Sequence, residues 1–163
     1  MKDYIATLTQ QVHSNPLFKR YEETNVRNNT NCYSHALGMT FPNIELYRIG
    51  AISNKKPVDQ EYFSIEEIKE LLFLDCEKLQ LKIKEASLKE ELKENEYKIM
   101  LFVKNWANGK IGDYHFWRFE DGIWTEKWRY RMMNKIQCFE REKLDYFPWS
   151  IIGIYKISRK GTF

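Results

Sequence analysis

The chain has 163 residues, of which 43% are hydrophobic and 15% aromatic, which is enough apolar material for one well-packed core but not for two. We therefore expect a single domain over residues 1–163. Its 26 Lys and Arg and 23 Asp and Glu residues leave a formal net charge of +3, and because the two signs alternate along residues 66–98, the charge pattern argues against nucleic acid as a partner.

The cysteines suggest neither a disulfide framework nor a metal site. Cys32, Cys76 and Cys138 are three in number and widely spaced. Cys32, His35 and His115 are suitable zinc ligands in type, but no two-ligand spacing typical of zinc is present, so we expect no metal and no other cofactor. The chain also lacks the roughly 7 to 15 residue apolar run of a secretory signal and the roughly 18 apolar residues of a membrane span. We expect a cytoplasmic protein without a membrane partner, with delivery by another route left open.

The first part of the chain predicts short helices. Residues 4–12 have the pattern of a helix that ends before a turn, and the polar residues 25–31 predict a loop. A second helix is expected to begin near Cys32, with Thr30 or Asn31 as its N-cap.

A longer helix is expected after Ser64, because Ser64 and Glu67 have the spacing of a capping box and apolar residues follow at helical intervals. Residues 79–95 mix charges with leucines and fit either a helix or a helix followed by a short strand.

The last part of the chain predicts strands. Residues 97–104 and 151–157 are short and rich in apolar and aromatic side chains. Residues 113–119 and 123–128 flank the turn-forming pair Asp121-Gly122, which is a strong hairpin signal. Helices followed by consecutive strands predict an α+β domain in which N-terminal helices pack on a C-terminal antiparallel sheet.

One cysteine lies where a reactive thiol is favoured. The N-terminus of a helix offers unpaired N–H groups and a positive dipole end, both of which stabilise a thiolate, and Cys32 is at the expected start of a helix. A thiol nucleophile also needs an imidazole that accepts and returns its proton, and a third group that orients the imidazole. His115, on an expected strand, is our candidate for the base.

The hairpin indicates which residue would orient His115. If Asp121-Gly122 is a two-residue turn, Trp117 faces Glu126, and Glu126 is then the diagonal neighbour of His115. Diagonal neighbours lie roughly 7 to 8 Å apart at the backbone, within reach of a glutamate side chain. We predict Glu126 as the orienting residue, with Asp113, on the same face, as the fallback.

These residues also carry a resemblance to a known family. Residues 31–37 (NCYSHAL), 97–99 (YKI), 113–118 (DYHFWR) and 121–124 (DGIW) resemble motifs of a group of papain-like proteins. That group carries an Asn-Cys-Tyr-x-x-Ala helix start, an Asp-Tyr-His-x-x-Arg strand and a Gly-x-Trp-Ser-His-Lys strand, the last of which is Thr-Glu-Lys at residues 125–127 here. The superfamily includes cysteine proteases and cell-wall peptidases and amidases. The resemblance therefore implies a papain-like fold in which a helix-borne cysteine faces a sheet-borne histidine.

Further residues are candidates for binding substrate. The N–H of Cys32 is a natural oxyanion donor, and Asn25 or Asn31 would each supply a side-chain amide. Candidates for the substrate groove are Tyr33, Asp113, Trp117 and Trp128. Three residues are better explained structurally, namely Cys76 and His35 by packing and Arg118 as a surface or salt-bridging residue on the opposite face of the sheet.

The combined expectation is a single papain-like catalytic domain that hydrolyses amide bonds through a Cys-His-Glu triad and an acyl-enzyme. Its substrate would be a peptide or protein, with a peptide, isopeptide or cell-wall amide as the bond that is cut. The alternatives are a non-catalytic peptide- or ligand-binding module on the same scaffold, and a deamidase or acyltransferase effector. The oligomeric state stays open.

Overall fold

A computed structural model describes residues 2–14, 24–28, 30–39, 47–54, 64–105, 111–128, 133–136 and 149–159. Within these ranges the helices are α1 Lys2–Ser14, α2 Thr24–Asn28, α3 Cys32–Leu37, α4 Ala51–Asn54 and α5 Ile65–Lys78. The strands are β1 Lys82–Glu85, β2 Glu96–Asn105, β3 Ile111–Glu120, β4 Ile123–Glu126, β5 Asn134–Ile136 and β6 Trp149–Ser158. The chain is therefore an α+β protein with its helices first and its sheet in the C-terminal half, as the sequence predicts.

Side-chain caps fix the starts of two helices. The Ser64 hydroxyl accepts a hydrogen bond from the N–H of Glu67 and so begins α5 at the expected capping box. Asn31 caps α3 in the same way, through the N–H of Ser34. Gly38 ends α3 in the left-handed conformation, with φ 82°, which costs a glycine little.

Two segments differ from the sequence prediction. Residues 25–31, expected as a loop, overlap the short helix α2. Residues 79–95 form no helix; their only regular element is β1, which pairs with the C-terminal strand β6. That pairing joins residues about 70 positions apart, so no local pattern in the sequence specifies it. None of the helices in the described ranges is long and apolar enough to cross a membrane.

The sheet is antiparallel, and its six described strands lie in the order β1-β6-β2-β3-β4-β5. Because successive side chains of a strand point to opposite faces, the sheet has two distinct sides. The helical face packs against the helices and includes Ile99, Leu101, Val103, Tyr114 and Phe116. The aromatic face carries a second buried cluster of Met100, Phe102, Trp117 and Trp124.

The buried side chain of Arg118 ties α3 to the sheet. Arg118 is fully buried on the helical face, where its Nη1 donates to the carbonyl oxygen of His35 at 3.0 Å. Its Nη2 lies 2.6 Å from Oε2 of Glu120, and its guanidinium covers the ring of Tyr97. The salt bridge was expected, but the surface position was not. Arginine tolerates this burial because its donors are matched by a carboxylate and a backbone carbonyl.

Candidate active site

The β3–β4 hairpin has the register that the sequence predicts. Trp117 pairs with Glu126, and Glu120 with Ile123 across a two-residue turn. Asp121 and Gly122 have φ values of 53° and 80°, the left-handed pair that a tight hairpin turn requires. Glu126 therefore lies on the aromatic face, beside its diagonal neighbour His115.

The imidazole of His115 is held from two sides. Its Nε2 lies 2.8 Å from Oε2 of Glu126, and the same carboxylate oxygen accepts a hydrogen bond of 3.0 Å from the indole Nε1 of Trp117. Trp128 stacks on the imidazole with ring centroids 3.9 Å apart and 8° between the planes. Only 5% of His115 is exposed. These contacts fix both the plane and the rotation of the ring.

The second ring nitrogen of His115 finds no partner among the residues that the structure describes. Its Nδ1 is buried and makes no hydrogen bond within the described part of the chain. A buried nitrogen without a partner is costly, by about 1 to 3 kcal/mol, so such atoms are rare outside functional sites. An imidazole with one nitrogen on a carboxylate and the other unused is prepared to exchange a proton on the unused side.

Glu126 stays ionised near neutral pH. Burial by itself would raise its pKa, but hydrogen bonds from His115, Trp117 and Trp128, together with the charge of His115, bring the pKa below the ordinary glutamate value. An ionised carboxylate can stabilise the positive imidazolium that forms when His115 takes up a proton.

Cys32 is the first residue of α3, as expected, but its thiol is not ionised in this structure. Burial raises the pKa of Cys32 to about 12. The N–H groups of Phe116, Tyr33 and Cys32 itself act in the opposite direction, whereas the negative charge of Asp113 adds to the increase. The helix start thus supplies the expected N–H groups, and desolvation outweighs them because the sulfur is densely surrounded even though the residue as a whole is only half-buried.

The thiol and the imidazole reach β3 from different sides. Cys32 packs against the helical-face cluster, and the N–H of Phe116 donates to its sulfur. His115 directly precedes Phe116 but points to the aromatic face, where it pairs with Phe102. The thiol therefore lies against the peptide group that joins His115 to Phe116. No thiol–imidazole hydrogen bond is formed, since Nδ1 is unpartnered and Nε2 is bonded to Glu126.

A pocket of about 240 Å³ opens on the aromatic face next to this histidine. It is lined by Phe102, His115, Trp117, Glu126, Trp128 and Trp149. Two of the groove candidates, Trp117 and Trp128, line this pocket. Cys32 is not part of the lining.

Three of the remaining candidates have other surroundings than expected. Tyr33 does not line a groove: it is fully buried, and its hydroxyl donates to Oδ2 of Asp75 at 2.6 Å. The amide of Asn31 is already used, because Oδ1 caps α3 and Nδ2 donates to the carbonyl oxygen of Tyr47 at 2.7 Å. Asp113 is exposed on β3, accepts a hydrogen bond from the N–H of Tyr114 and is not among the residues that line the pocket. The side chain of the other oxyanion candidate, Asn25, lies outside the described residues.

Sequence reasoning missed three residues of the site. Phe102 and Trp149 complete the pocket, and the alternation of strand β2 would have placed Phe102 on the same face as His115 had the strand pairing been known. Lys127 is fully buried, and its ammonium donates to the carbonyl oxygens of Arg27, Thr30 and Trp128. Two of these three partners are backbone atoms about 100 positions away in the chain, so no local pattern in the sequence indicates them.

Comparison with other proteins gives no family for the chain. No family model matches it, and neither the curated proteins nor the solved structures contain a match. The interpretation of the site therefore rests on its own geometry and on the motif residues Cys32 and His115 in their settings.

Proposed function

We propose that this protein is a cysteine-dependent amide hydrolase of papain-like type, in which Cys32 is the nucleophile, His115 the general base and acid, and Glu126 the residue that orients His115. One observation carries the proposal. The imidazole of His115 is held through Nε2 by Glu126 at 2.8 Å, while its buried Nδ1 has no partner among the described residues and the Cys32 thiol lies against the adjoining peptide group.

The raised pKa of Cys32 favours a form of the thiol mechanism in which the sulfur loses its proton only as it attacks the substrate. Because burial raises that pKa to about 12, the resting nucleophile is a neutral thiol. The side chain of Cys32 turns from the N–H of Phe116 towards Nδ1, and His115 takes the proton as the sulfur attacks the amide carbonyl. The N–H of Cys32, at the start of α3, is the available donor to the developing oxyanion.

The rest of the cycle follows from the same groups. Protonated His115 gives its proton to the leaving amine, the C–N bond breaks, and a thioester on Cys32 remains. Neutral His115 then removes a proton from water, which attacks the thioester and releases the acid and the thiol. A peptide, isopeptide or cell-wall amide fits this sequence. A glutamine side chain would be deamidated by it, and an amine in place of water would give acyl transfer.

A second candidate is a non-catalytic module that holds a peptide or other ligand in the aromatic pocket. Two observations favour it, namely the burial that raises the pKa of Cys32 and the absence of Cys32 from the pocket lining. In this second candidate function, His115 only lines the pocket, and Cys32 is an unreactive buried thiol.

The alkylation of Cys32 by iodoacetamide separates the two candidates. Its rate is measured from pH 5 to 10 by peptide mapping, in the wild type and in His115→Ala, with buried Cys76 as the internal control. Because His115 takes the proton as the sulfur reacts, we expect the rate to level off at a pH well below the ordinary thiol pKa of about 8.5 although the pKa of the thiol itself is raised, and to fall at least about tenfold at pH 7 in His115→Ala.

The opposite result would be a rate that rises about tenfold per pH unit up to pH 10 in both proteins, as for an isolated thiol with a high pKa. That result would reject the hydrolase in favour of the binding module. His115→Gln serves as a second variant if His115→Ala unfolds, since glutamine fills more of the space left by the imidazole.

A further inference from the structure

The pocket beside His115 has almost entirely aromatic walls. Four of its six lining residues are Phe102, Trp117, Trp128 and Trp149, and the imidazole of His115 forms a fifth ring. The rings meet at an angle as well as in parallel: Phe102 and Trp117 are T-shaped at 4.8 Å, and Trp149 stands at 61° to His115. A further ring that enters such a box meets both ring faces and ring edges.

Among the described residues that line the pocket, Glu126 is the carboxylate, and most of its acceptor sites are occupied. The carboxylate of Glu126 accepts hydrogen bonds from His115, Trp117 and Trp128, which are themselves walls of the pocket. An ionised carboxylate has about four acceptor sites, so these three donors use most of them. The pocket therefore offers few free acceptors to the N–H groups of a cationic ligand, and a quaternary ammonium, which ring faces attract without hydrogen bonds, is the competitor to compare with an aromatic ring.

The size of the pocket restricts the ligand further. Its volume of about 240 Å³ is below the range of roughly 300 to 1,000 Å³ found for drug-sized ligands. It exceeds the roughly 150 Å³ that suffices for a benzene molecule. One phenyl or indole ring fits, and a complete large ligand does not.

We propose that this pocket binds an aromatic side chain of the substrate, on the amine side of the amide bond that is cut. The side follows from the chemistry, because His115 gives its proton to the leaving amine and also forms a wall of the pocket. The assignment of the side rests on the proposed hydrolase function, whereas the aromatic selectivity follows from the pocket alone.

Binding is measured first in Cys32→Ser, so that no chemistry interferes. N-acetyl-phenylalanine amide, N-acetyl-leucine amide and tetramethylammonium are titrated while the indole N–H signals are followed by NMR. We expect the phenylalanine amide to bind at least about tenfold more tightly than the leucine amide, because ring–ring contacts add to the burial of apolar area. Equal affinities, tighter binding of tetramethylammonium, or no binding at all would each overturn the aromatic assignment.

An exposed residue supplies the variant. Trp128 is 38% exposed, so Trp128→Leu removes one wall at little risk to the fold, and Phe73→Leu on α5, with 37% exposure, is the matched control outside the pocket. Trp128→Leu should lower the affinity for N-acetyl-phenylalanine amide at least about threefold, and Phe73→Leu should leave that affinity unchanged. An equal effect of the two substitutions would place the ligand elsewhere.

The link to catalysis is tested separately in the wild type. Saturating N-acetyl-phenylalanine amide should slow the alkylation of Cys32 at least about threefold without slowing that of Cys76. Binding without this protection would overturn the placement of the ring beside the scissile amide. If instead the alkylation of Cys32 does not depend on His115, the hydrolase proposal fails while the binding data still decide the aromatic selectivity.

Discussion

The Nε2 of His115 and the Oε2 of Glu126 lie 2.8 Å apart, although the two residues are diagonal neighbours and not direct partners in the hairpin. Trp117, the direct partner of Glu126, donates to the same oxygen at 3.0 Å. One carboxylate oxygen thus fixes an imidazole and an indole together. As a consequence, the imidazole keeps its Nδ1 directed away from the carboxylate, where a proton can be exchanged.

Substitution of Glu126 should weaken proton transfer by His115 while the imidazole itself stays in the protein. Glu126→Gln retains the shape of the side chain but loses the charge that stabilises the imidazolium, so the His115-dependent labelling of Cys32 should fall on the order of 10- to 100-fold at pH 7. Iodoacetamide labelling, read by mass spectrometry, measures the effect. Glu91→Gln, an exposed carboxylate of the β1–β2 connection, is the matched control. Equal labelling of both variants would show that Glu126 serves only the packing of the hairpin.

Asn31 should contribute to stability rather than to the chemistry. Asn31→Ala removes the cap of α3 and the donor to the Tyr47 carbonyl, which together cost about 1 to 2 kcal/mol of the free energy of unfolding. Urea denaturation measures it. Ser64→Ala, which removes the equivalent cap of α5, should cost about 1 kcal/mol and is the control. A drop in substrate turnover without any loss of stability would restore Asn31 as an oxyanion donor.

The sequence specified those parts of the site whose geometry is local. The turn Asp121-Gly122 sets the register of β3 and β4, and the register sets which side chains share a face, so His115 and Glu126 could be placed together from the residue order alone. The start of α3 was equally readable, because a cap acts within four residues of the chain.

The parts that depend on distant segments could not be predicted. The motif at residues 31–37, which contains Tyr33, gave no indication that this side chain would be buried against Asp75, 42 residues further on. The helix start predicted a thiolate, but the pKa of Cys32 depends on how closely β3 approaches the sulfur, and burial outweighs the N–H groups. Tertiary packing therefore decided both the role of Tyr33 and the ionisation of Cys32.

Stability should fall in mild acid because of His35. This residue is fully buried beneath Arg118, and burial, followed by the charges of Arg118, Lys127 and His115, lowers its pKa well below the usual value. The folded protein therefore keeps His35 neutral, while the unfolded chain takes up a proton below about pH 6.5. Stability is fully present above that pH and is lost as the pH falls, by up to about 1.4 kcal/mol per pH unit.

His35→Gln tests this origin of the acid sensitivity. Glutamine can still hydrogen-bond the hydroxyl of Thr125, which lies 2.9 Å from Nε2 of His35, but it does not titrate. Between pH 7 and pH 5 the wild type should lose about 1 to 2 kcal/mol more of its free energy of unfolding than the variant. Urea denaturation at four pH values gives both curves. Parallel curves would show that other groups cause the loss.

Lys127 should join the segment that carries Cys32 to the strand that carries Glu126. Its buried ammonium donates to Arg27 and Thr30, which precede Cys32, and to Trp128, which covers His115. Burial, followed by the charge of Arg27, lowers its pKa to about 8, so the three carbonyl partners are what hold the charge in place. Loss of the ammonium would leave those carbonyl oxygens without this donor.

Lys127→Met should accordingly destabilise the protein by about 2 to 4 kcal/mol, because hydrogen bonds to a charged donor are lost while the acceptors stay buried. Lys104→Met, at an exposed position of β2, should change stability by less than about 0.5 kcal/mol and is the matched control in urea denaturation. Hydrogen exchange should accelerate most at residues 30–37 and at Glu126, since the ammonium connects these two segments. Equal destabilisation by both substitutions, or acceleration spread evenly over the sheet, would contradict this connecting role.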